Sequence, residues 1–151
     1  MAQKKKTHQF KLSNAEALLN KIEKETIKHT KGNIGEHWRD NLFEILMTRM
    51  EIAAKNKKDY SAITAELKKE PKEAPRFAKQ LLHTMHNILI LAKAPSSPIH
   101  VIAITGLYVA IVDVFLRDDT KDLAKTMAAI DKRLEQFEKI SEFLSNAKQA
   151  A

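Results

Sequence analysis

The sequence contains no cysteine, only three glycines and only four prolines, and no proline precedes Pro71. Without cysteine, disulfides, thiolate nucleophiles and cysteine-based zinc sites are excluded together. The same absence fits a reducing cytosol. So few turn formers are poorly suited to a sheet-rich domain of this length, which needs many tight turns, and helices are favoured. A Gly-rich phosphate loop, a nucleophile elbow and a Ser/His/Asp signature are also missing. No reaction is indicated, and an enzyme is not expected. The opening "MAQKKKTHQFKLSN" has lysines with no apolar core behind them, which is not the pattern of a secretory signal. A cytoplasmic protein is expected.

What is present is a soluble balance. The chain has 151 residues, 44% hydrophobic and 30% charged, enough for one domain with a real core. Net charge is +7; residues 1–37 hold eight Lys and four Glu, a balance of +4, which leaves +3 for the rest. A cationic arm of this kind can touch phosphates of nucleic acid or of anionic lipid, or it can be a solvated tail. Residues 1–12 are read as a basic disordered tail, 13–145 as a single helical domain and 146–151 as a second tail.

Apolar residues at spacings of three and four mark the helices. Ala15, Leu18, Leu19 and Ile22, with Thr26 and Ile27, predict a helix over 14–30, capped by Ser13 or Asn14 and stopped by Gly32 and Gly35. Next, Trp38, Leu42, Ile45, Leu46 and Ala53 form one face, with Phe43, Met47, Met50 and Ala54 beside it. A short helix opens at Asp59, Tyr60 or Ser61, carries Ile63 and Leu67, and is broken by "KEPKEAP". The stretch from Pro75 to Ala94 carries Phe77, Leu81, Leu82, Met85, Ile88 and Leu89.

"PIHVIAITGLYVAIVDVFLRD" is apolar nearly all round. Its uninterrupted run is shorter than the ~20 residues a bilayer needs, and His100 and Asp113 lie inside it, where charge at bilayer depth is costly. It is read as a buried central helix. A last helix over 121–145 has Leu123, Met127, Ile130, Leu134, Phe137, Ile140 and Leu144 in helix-pairing register. The sum is an all-α bundle of about six helices with no β-sheet and no helix-turn-helix.

Few residues invite a chemical reading. Asp118 and Asp119 are either a metal or acid–base pair, or the hinge between two antiparallel helices, with Thr120 as cap and Asp122 in the first turn. The hinge is the expectation, because a carboxylate pair needs a pocket and a pKa-shifting neighbour. His83 and His86 stand three apart, without the four-spacing and nearby carboxylate of a helical zinc motif; no metal or cofactor is expected. His100 is read as a polar group near a helix start. Asp113, inside an apolar helix, is read as a carboxylate needing Arg117 or Arg133 as partner. Gly106 costs about 1 kcal/mol against alanine in a helix, which close helix approach or room for a ligand would offset. Met47, Met50, Met85 and Met127 are adaptable core fillers; methionine, glycine and Tyr108 on facing helices would also suit an apolar cavity.

Three stretches carry a family likeness: "RDNLFEILMTRME", "HTMHNILILA" after a "KKEP" break, and "LYVAIVDVFLRDDTKDLAKTMAAIDKRLE". Together they resemble the C-terminal ligand-binding and dimerisation domain of TetR-family regulators, especially the TetR-like lipid-binding family that assists coenzyme Q (ubiquinone) biosynthesis. The resemblance implies a helical domain sheltering an apolar ligand and pairing through its last two helices. On that carry-over, Leu46, Met50, Leu81, Met85, Leu107, Tyr108 and Ile111 are ligand-cavity candidates. Val109, Val112, Phe115, Ile130 and Phe137 are dimer-interface candidates. A full regulator also has a three-helix DNA reader, for which the residues ahead of the first helix are too few, so sequence-specific DNA binding is not expected.

Three functions follow from these readings. One is a non-enzymatic, homodimeric module that binds a lipid or isoprenoid-quinone-like molecule, assists ubiquinone biosynthesis and touches a membrane peripherally. Another is a TetR-family transcriptional regulator lacking its DNA-binding domain. The last is a protein-interaction module whose core is fully packed.

Overall fold

The structure, a computed structural model, describes residues 12–150. The basic tail up to residue 11, with its lysine run, and the proposed Ser13 cap lie outside the described side chains. Six α-helices follow one another: α1 Leu12–Thr30, α2 Trp38–Ala54, α3 Lys57–Lys69, α4 Ala74–Ala92, α5 Pro98–Arg117 and α6 Ala124–Ala150. Single 3-10 turns at Lys31–Asn33 and Pro71–Glu73 interrupt the connections, and no strand occurs among the described residues. The architecture is the all-α, six-helix one that the periodicity predicts.

Several boundaries differ from expectation. Asn14 lies within α1 rather than ahead of it. The last helix starts at Ala124 and continues to Ala150, so residues 146–150 are helix rather than tail. Nothing in "SNAKQA" breaks a helix, and its alanines, lysine and glutamine favour one.

One apolar cluster holds the bundle together. Leu42, Ile45, Leu46 and Met50 of α2 meet Met85 and Leu89 of α4, Ile104, Ile111 and Phe115 of α5, and Ile130, Leu134 and Phe137 of α6. Each such side chain contributes about 1.5–3 kcal/mol by leaving water. The Trp38 and Phe137 rings meet edge to face at 5.7 Å, joining α2 to α6. Arg39 adds a polar strap across the same pair of helices, reaching Asp131 at 3.1 Å and Glu138 at 3.0 Å. Asn41 pins the α1–α2 connection: its Nδ2 donates to the carbonyls of Gly35 and Ala92, both at 3.0 Å, and its Oδ1 accepts from Gly35 N–H at 2.8 Å.

Two turns use left-handed backbone without glycine. Lys93, at φ 61°, ends α4, and the following Ala94 N–H closes back on the Leu89 carbonyl at 2.9 Å. Leu123, at φ 56°, leads into α6 and keeps its side chain in the core.

The central helix is the main correction. α5 was expected to be buried on all sides, yet only the face of Val101, Ile104, Tyr108, Ile111 and Phe115 is buried. Among the described residues α5 packs mainly on α6 and α4, and several side chains of its opposite face are exposed. Ile102 is 65% exposed and Val109 54% exposed on that side. By length and composition α5 is apolar enough to cross a membrane. Its inner face, however, is already committed to the core of the bundle.

Candidate functional site

A cavity of about 240 Å³ lies among α1, α3, α4 and α5. Leu19 of α1, Ile63 and Leu67 of α3, Phe77 and Leu81 of α4, and Val109 and Val112 of α5 give it apolar walls. It reaches the surface beside the exposed Val109. Its polar lining is Arg49, Tyr60, Thr64, Gln80, Thr84 and Tyr108. A pocket of mostly apolar walls with a few convergent polar groups is the usual form of a small-molecule site.

Local sequence explains how the walls are set. On α3, Tyr60, Ile63, Thr64 and Leu67 share one face at spacings of three and four, and so turn together toward the bundle. Phe77, Gln80, Leu81 and Thr84 do the same on α4. Pro75 in the first turn of α4 costs no hydrogen bond there and fixes where that face begins.

Arg49 dominates the buried wall. It is only 2% exposed, and its neighbours Tyr108 and Tyr60 are 1% and 6% exposed. Its Nε donates to Tyr108 Oη at 2.8 Å. Tyr108 Oη and Tyr60 Oη share a hydrogen bond of 2.9 Å. The guanidinium also stands 5.5 Å from the centre of the Tyr108 ring, a cation–π distance. No carboxylate pairs with it: the ion pairs among the described residues belong to other cations. Its buried Nη1 has no hydrogen-bond partner in the protein.

Burial works against the Arg49 charge, but Tyr108, Tyr60 and Glu23 outweigh it, and its pKa lies above the usual guanidinium value. Burial, and then the adjacent Tyr108, push the Tyr60 phenol well above its ordinary range, so it stays protonated. Glu23 is near enough to Arg49 to favour its charge. It and Arg49 both border a void of about 10 Å³, near the size of one water site. Its carboxylate accepts from Thr84 Oγ1 at 3.2 Å and from Asn87 Nδ2 at 3.3 Å. Gln80 Oε1 is buried without a partner in the protein.

Of the seven ligand-cavity candidates, the structure brings only Leu81 and Tyr108 to this cavity. Leu46, Met50, Met85 and Ile111 are fully buried in the packed core, and Leu107 packs against that core without lining the cavity. The space opens against α3 instead, which supplies Tyr60, Ile63, Thr64 and Leu67 to its lining. Of the five interface candidates, Phe115, Ile130 and Phe137 are wholly buried inside a single chain and offer nothing to a second copy. They hold α5, α6 and α2 together. Val112 is half-buried on the cavity wall, and Val109 alone of the five is exposed.

Arg49 itself was missed. It occupies the same helical stripe as Leu42, Ile45, Leu46 and Ala53, and a lone cation in an apolar stripe was the available signal.

The aspartate pair has a structural job. Asp118 is 1% exposed. Its Oδ1 accepts from Thr120 N–H at 3.0 Å and from the Thr120 hydroxyl; its Oδ2 accepts from Thr126 N–H at 2.8 Å and from Thr126 Oγ1 at 2.7 Å. Four bonds occupy the roughly four lone-pair sites of a carboxylate. Although burial opposes the charge, these bonds hold the Asp118 pKa far below the usual carboxylate range. Asp118 thus caps the first turn of α6 across the loop. Thr120 Oγ1 also serves that turn, accepting from Ala124 N–H at 3.0 Å. Lys57 donates to the Asp118 carbonyl and lies over the Phe115 ring at 5.1 Å, which fastens the start of α3 to the end of α5. Asp119 is exposed and pairs with Lys125 at 3.5 Å.

The remaining candidates are placed as follows. Asp113, expected to be buried, is exposed and pairs with Arg117 one turn on, while Arg133 bonds Gln136 at 2.9 Å. His83 is exposed, with its Nε2 3.4 Å from Asn87 Nδ2. His100 meets Phe137 edge to face at 6.0 Å, and partial burial lowers its pKa. Among the described residues no three His, Asp or Glu side chains stand close enough to hold one metal ion. Gly106 is exposed, and a Cβ there would meet no atom within 4 Å. No family model, curated protein or solved structure matches the chain.

Proposed function

We propose that this chain is a non-enzymatic helical module that binds an apolar small molecule in the cavity among α1, α3, α4 and α5. One observation carries the reading: about 240 Å³ of space walled mainly by Leu, Ile, Phe and Val, beside the apolar cluster that joins the helices. An apolar cavity of about 150 Å³ already admits benzene, so this one accepts a larger body, such as a short alkyl or prenyl chain. The likeness to TetR-type ligand domains and to the coenzyme Q accessory family supports the same reading, with a quinone or lipid precursor as ligand and a cytoplasmic setting.

The uncovered face of α5 belongs to this proposal. Ile99, Ile102 and Val109 are all more than half exposed there. A second copy placed on that face forms a homodimer through α5, with α6 beside it. A peripheral membrane contact through the same face is the alternative, supported by the apolar composition of α5.

The test is organic extraction of the purified protein followed by mass spectrometry, together with titration of 1-octanol and of a short-chain quinone analogue. The reading expects a co-purified apolar molecule or saturable binding, abolished by Leu81→Trp. A protein that yields no extract and binds neither probe overturns it.

A further inference from the structure

We propose that the ligand is an amphipathic monoanion, an apolar body ending in a carboxylate that docks on the Arg49 guanidinium beside the Tyr60 and Tyr108 hydroxyls. This rests on the apolar-cavity reading above and names the head group.

The argument is a count of donors. Arg49 Nε–H, Tyr60 O–H and Tyr108 O–H make two hydrogen bonds among themselves, one from Arg49 to Tyr108 and one between the two phenols. The second bond consumes one hydroxyl proton, so one phenolic proton remains, whichever tyrosine donates. Arg49 Nη1 is buried without a hydrogen-bond partner among the described residues. Around the guanidinium, donors therefore outnumber acceptors, while Gln80 Oε1 on the same lining is an acceptor without a partner among those residues. A buried N–H left unbonded is costly, and an anionic oxygen beside the guanidinium would accept a charge-assisted hydrogen bond from it.

The charge balance sets the head group. One cation lines the site, and the Glu23 carboxylate is near enough to favour its charge. Glu23 repels each negative charge that a ligand brings, so a dianionic phosphate is disfavoured more than a monoanion. The planar fork of arginine also suits a carboxylate. Beyond the head, Leu19, Ile63, Leu67 and Phe77 offer hydrocarbon and no charge, and Thr64, Gln80 and Thr84 are the other polar groups on the lining, so the rest of the ligand is mainly hydrocarbon.

The experiment is calorimetric titration of the full chain at neutral pH with two probes of equal length, octanoate and 1-octanol. Wild type is expected to bind octanoate about 10- to 100-fold more tightly than the alcohol, the range expected of a charge-assisted hydrogen bond. Arg49→Met, which keeps length and apolar volume, should lose that preference and still bind 1-octanol. Glu23→Gln should bind octanoate more tightly than wild type and leave 1-octanol unchanged, an effect that a purely structural Arg49 would not produce. Wild type needs no variant to fold, so its own preference is decisive. Equal affinity for the two probes, or a preference that survives Arg49→Met, overturns the head-group assignment while the apolar cavity stands. Binding of neither probe overturns both.

Discussion

Arg49 on α2 and Tyr108 on α5 meet twice: Nε donates to Oη at 2.8 Å, and the guanidinium carbon stands 5.5 Å from the centre of the same ring. Tyr108 therefore carries the cation, and Tyr60 only extends the chain by one further bond of 2.9 Å. Tyr108→Phe leaves the ring but removes the 2.8 Å bond that Arg49 Nε makes and the 2.9 Å bond that Tyr60 makes. A loss of about 1–3 kcal/mol is expected from orphaning buried polar groups. Tyr60→Phe leaves the Arg49–Tyr108 bond in place and should cost about 1 kcal/mol or less. Urea unfolding of the two variants checks the order; a larger loss for Tyr60→Phe would assign the cation's support to the wrong tyrosine.

Asp118 predicts a specific acid response. Its folded pKa is depressed, mainly by bonds from Thr120 and Thr126 that overcome burial. A depressed carboxylate stabilises fully above its unfolded pKa, about 3.9, and the benefit fades as pH falls from there toward the folded value. Asp118→Asn should cost about 1–2 kcal/mol at neutral pH, the scale of a lost helix cap. The gap between wild type and variant should then narrow between about pH 4 and pH 2. Thermal melts across that range measure it, and a constant gap would mean the carboxylate charge plays no part in the cap.

Lys93 predicts a gain. At φ 61° it occupies the position after α4 where glycine is usual. Its side chain is exposed, so nothing is lost from the core. Lys93→Gly removes the left-handed penalty, partly offset by a more flexible unfolded chain, for a net gain of about 0.5–1 kcal/mol. Leu123→Gly relieves the same strain at φ 56° but removes a side chain that is 92% buried in the core, being 8% exposed. That variant should lose about 2–3 kcal/mol, as large-to-small core changes do. Opposite signs for two substitutions with the same backbone logic separate strain from packing, and melting temperatures read them directly.

The helices were legible because apolar residues recur at helical spacing, and those residues make up most of the two buried clusters. The connection after Leu116 was legible in kind, as aspartates and a threonine before an apolar run signal a cap. That the capping side chain is Asp118 reaching back to Thr126 was not, because the contact depends on the left-handed turn at Leu123, which no glycine announces. Which side of α5 is covered was also hidden. A helix apolar all round gives no phase, so the placement of Phe115 at an interface and of Tyr108 at a cavity rested on the family resemblance alone. The cavity was misplaced for a related reason. Part of its wall comes from α3, where Ile63 and Leu67 were counted only as a short amphipathic helix. Arg49 was readable as the one charge in the stripe of Leu42, Ile45, Leu46 and Ala53, yet its lack of an acidic partner is a fact of three dimensions.

Gly106 offers a test of the proposed assembly through the exposed face of α5. A mid-helix glycine costs about 1 kcal/mol against alanine, and no atom of this chain would touch a Cβ there within 4 Å. Packing within the chain therefore does not explain it. It lies on the stripe of Ile102 and Val109, which are 65% and 54% exposed, where a small residue lets a second helix approach closely. Wild type is accordingly expected to sediment as a dimer. Ile102→Lys should convert it to a monomer with an unchanged helical spectrum, because Ile102 contributes nothing to the single-chain core. Gly106→Ala should raise the stability of that monomer by about 1 kcal/mol, whereas Gly106→Leu in the otherwise wild-type chain should weaken the dimer by obstructing the approach. Sedimentation equilibrium distinguishes these outcomes. A wild-type monomer at high concentration, or a dimer indifferent to both Ile102→Lys and Gly106→Leu, would remove the second copy from this face.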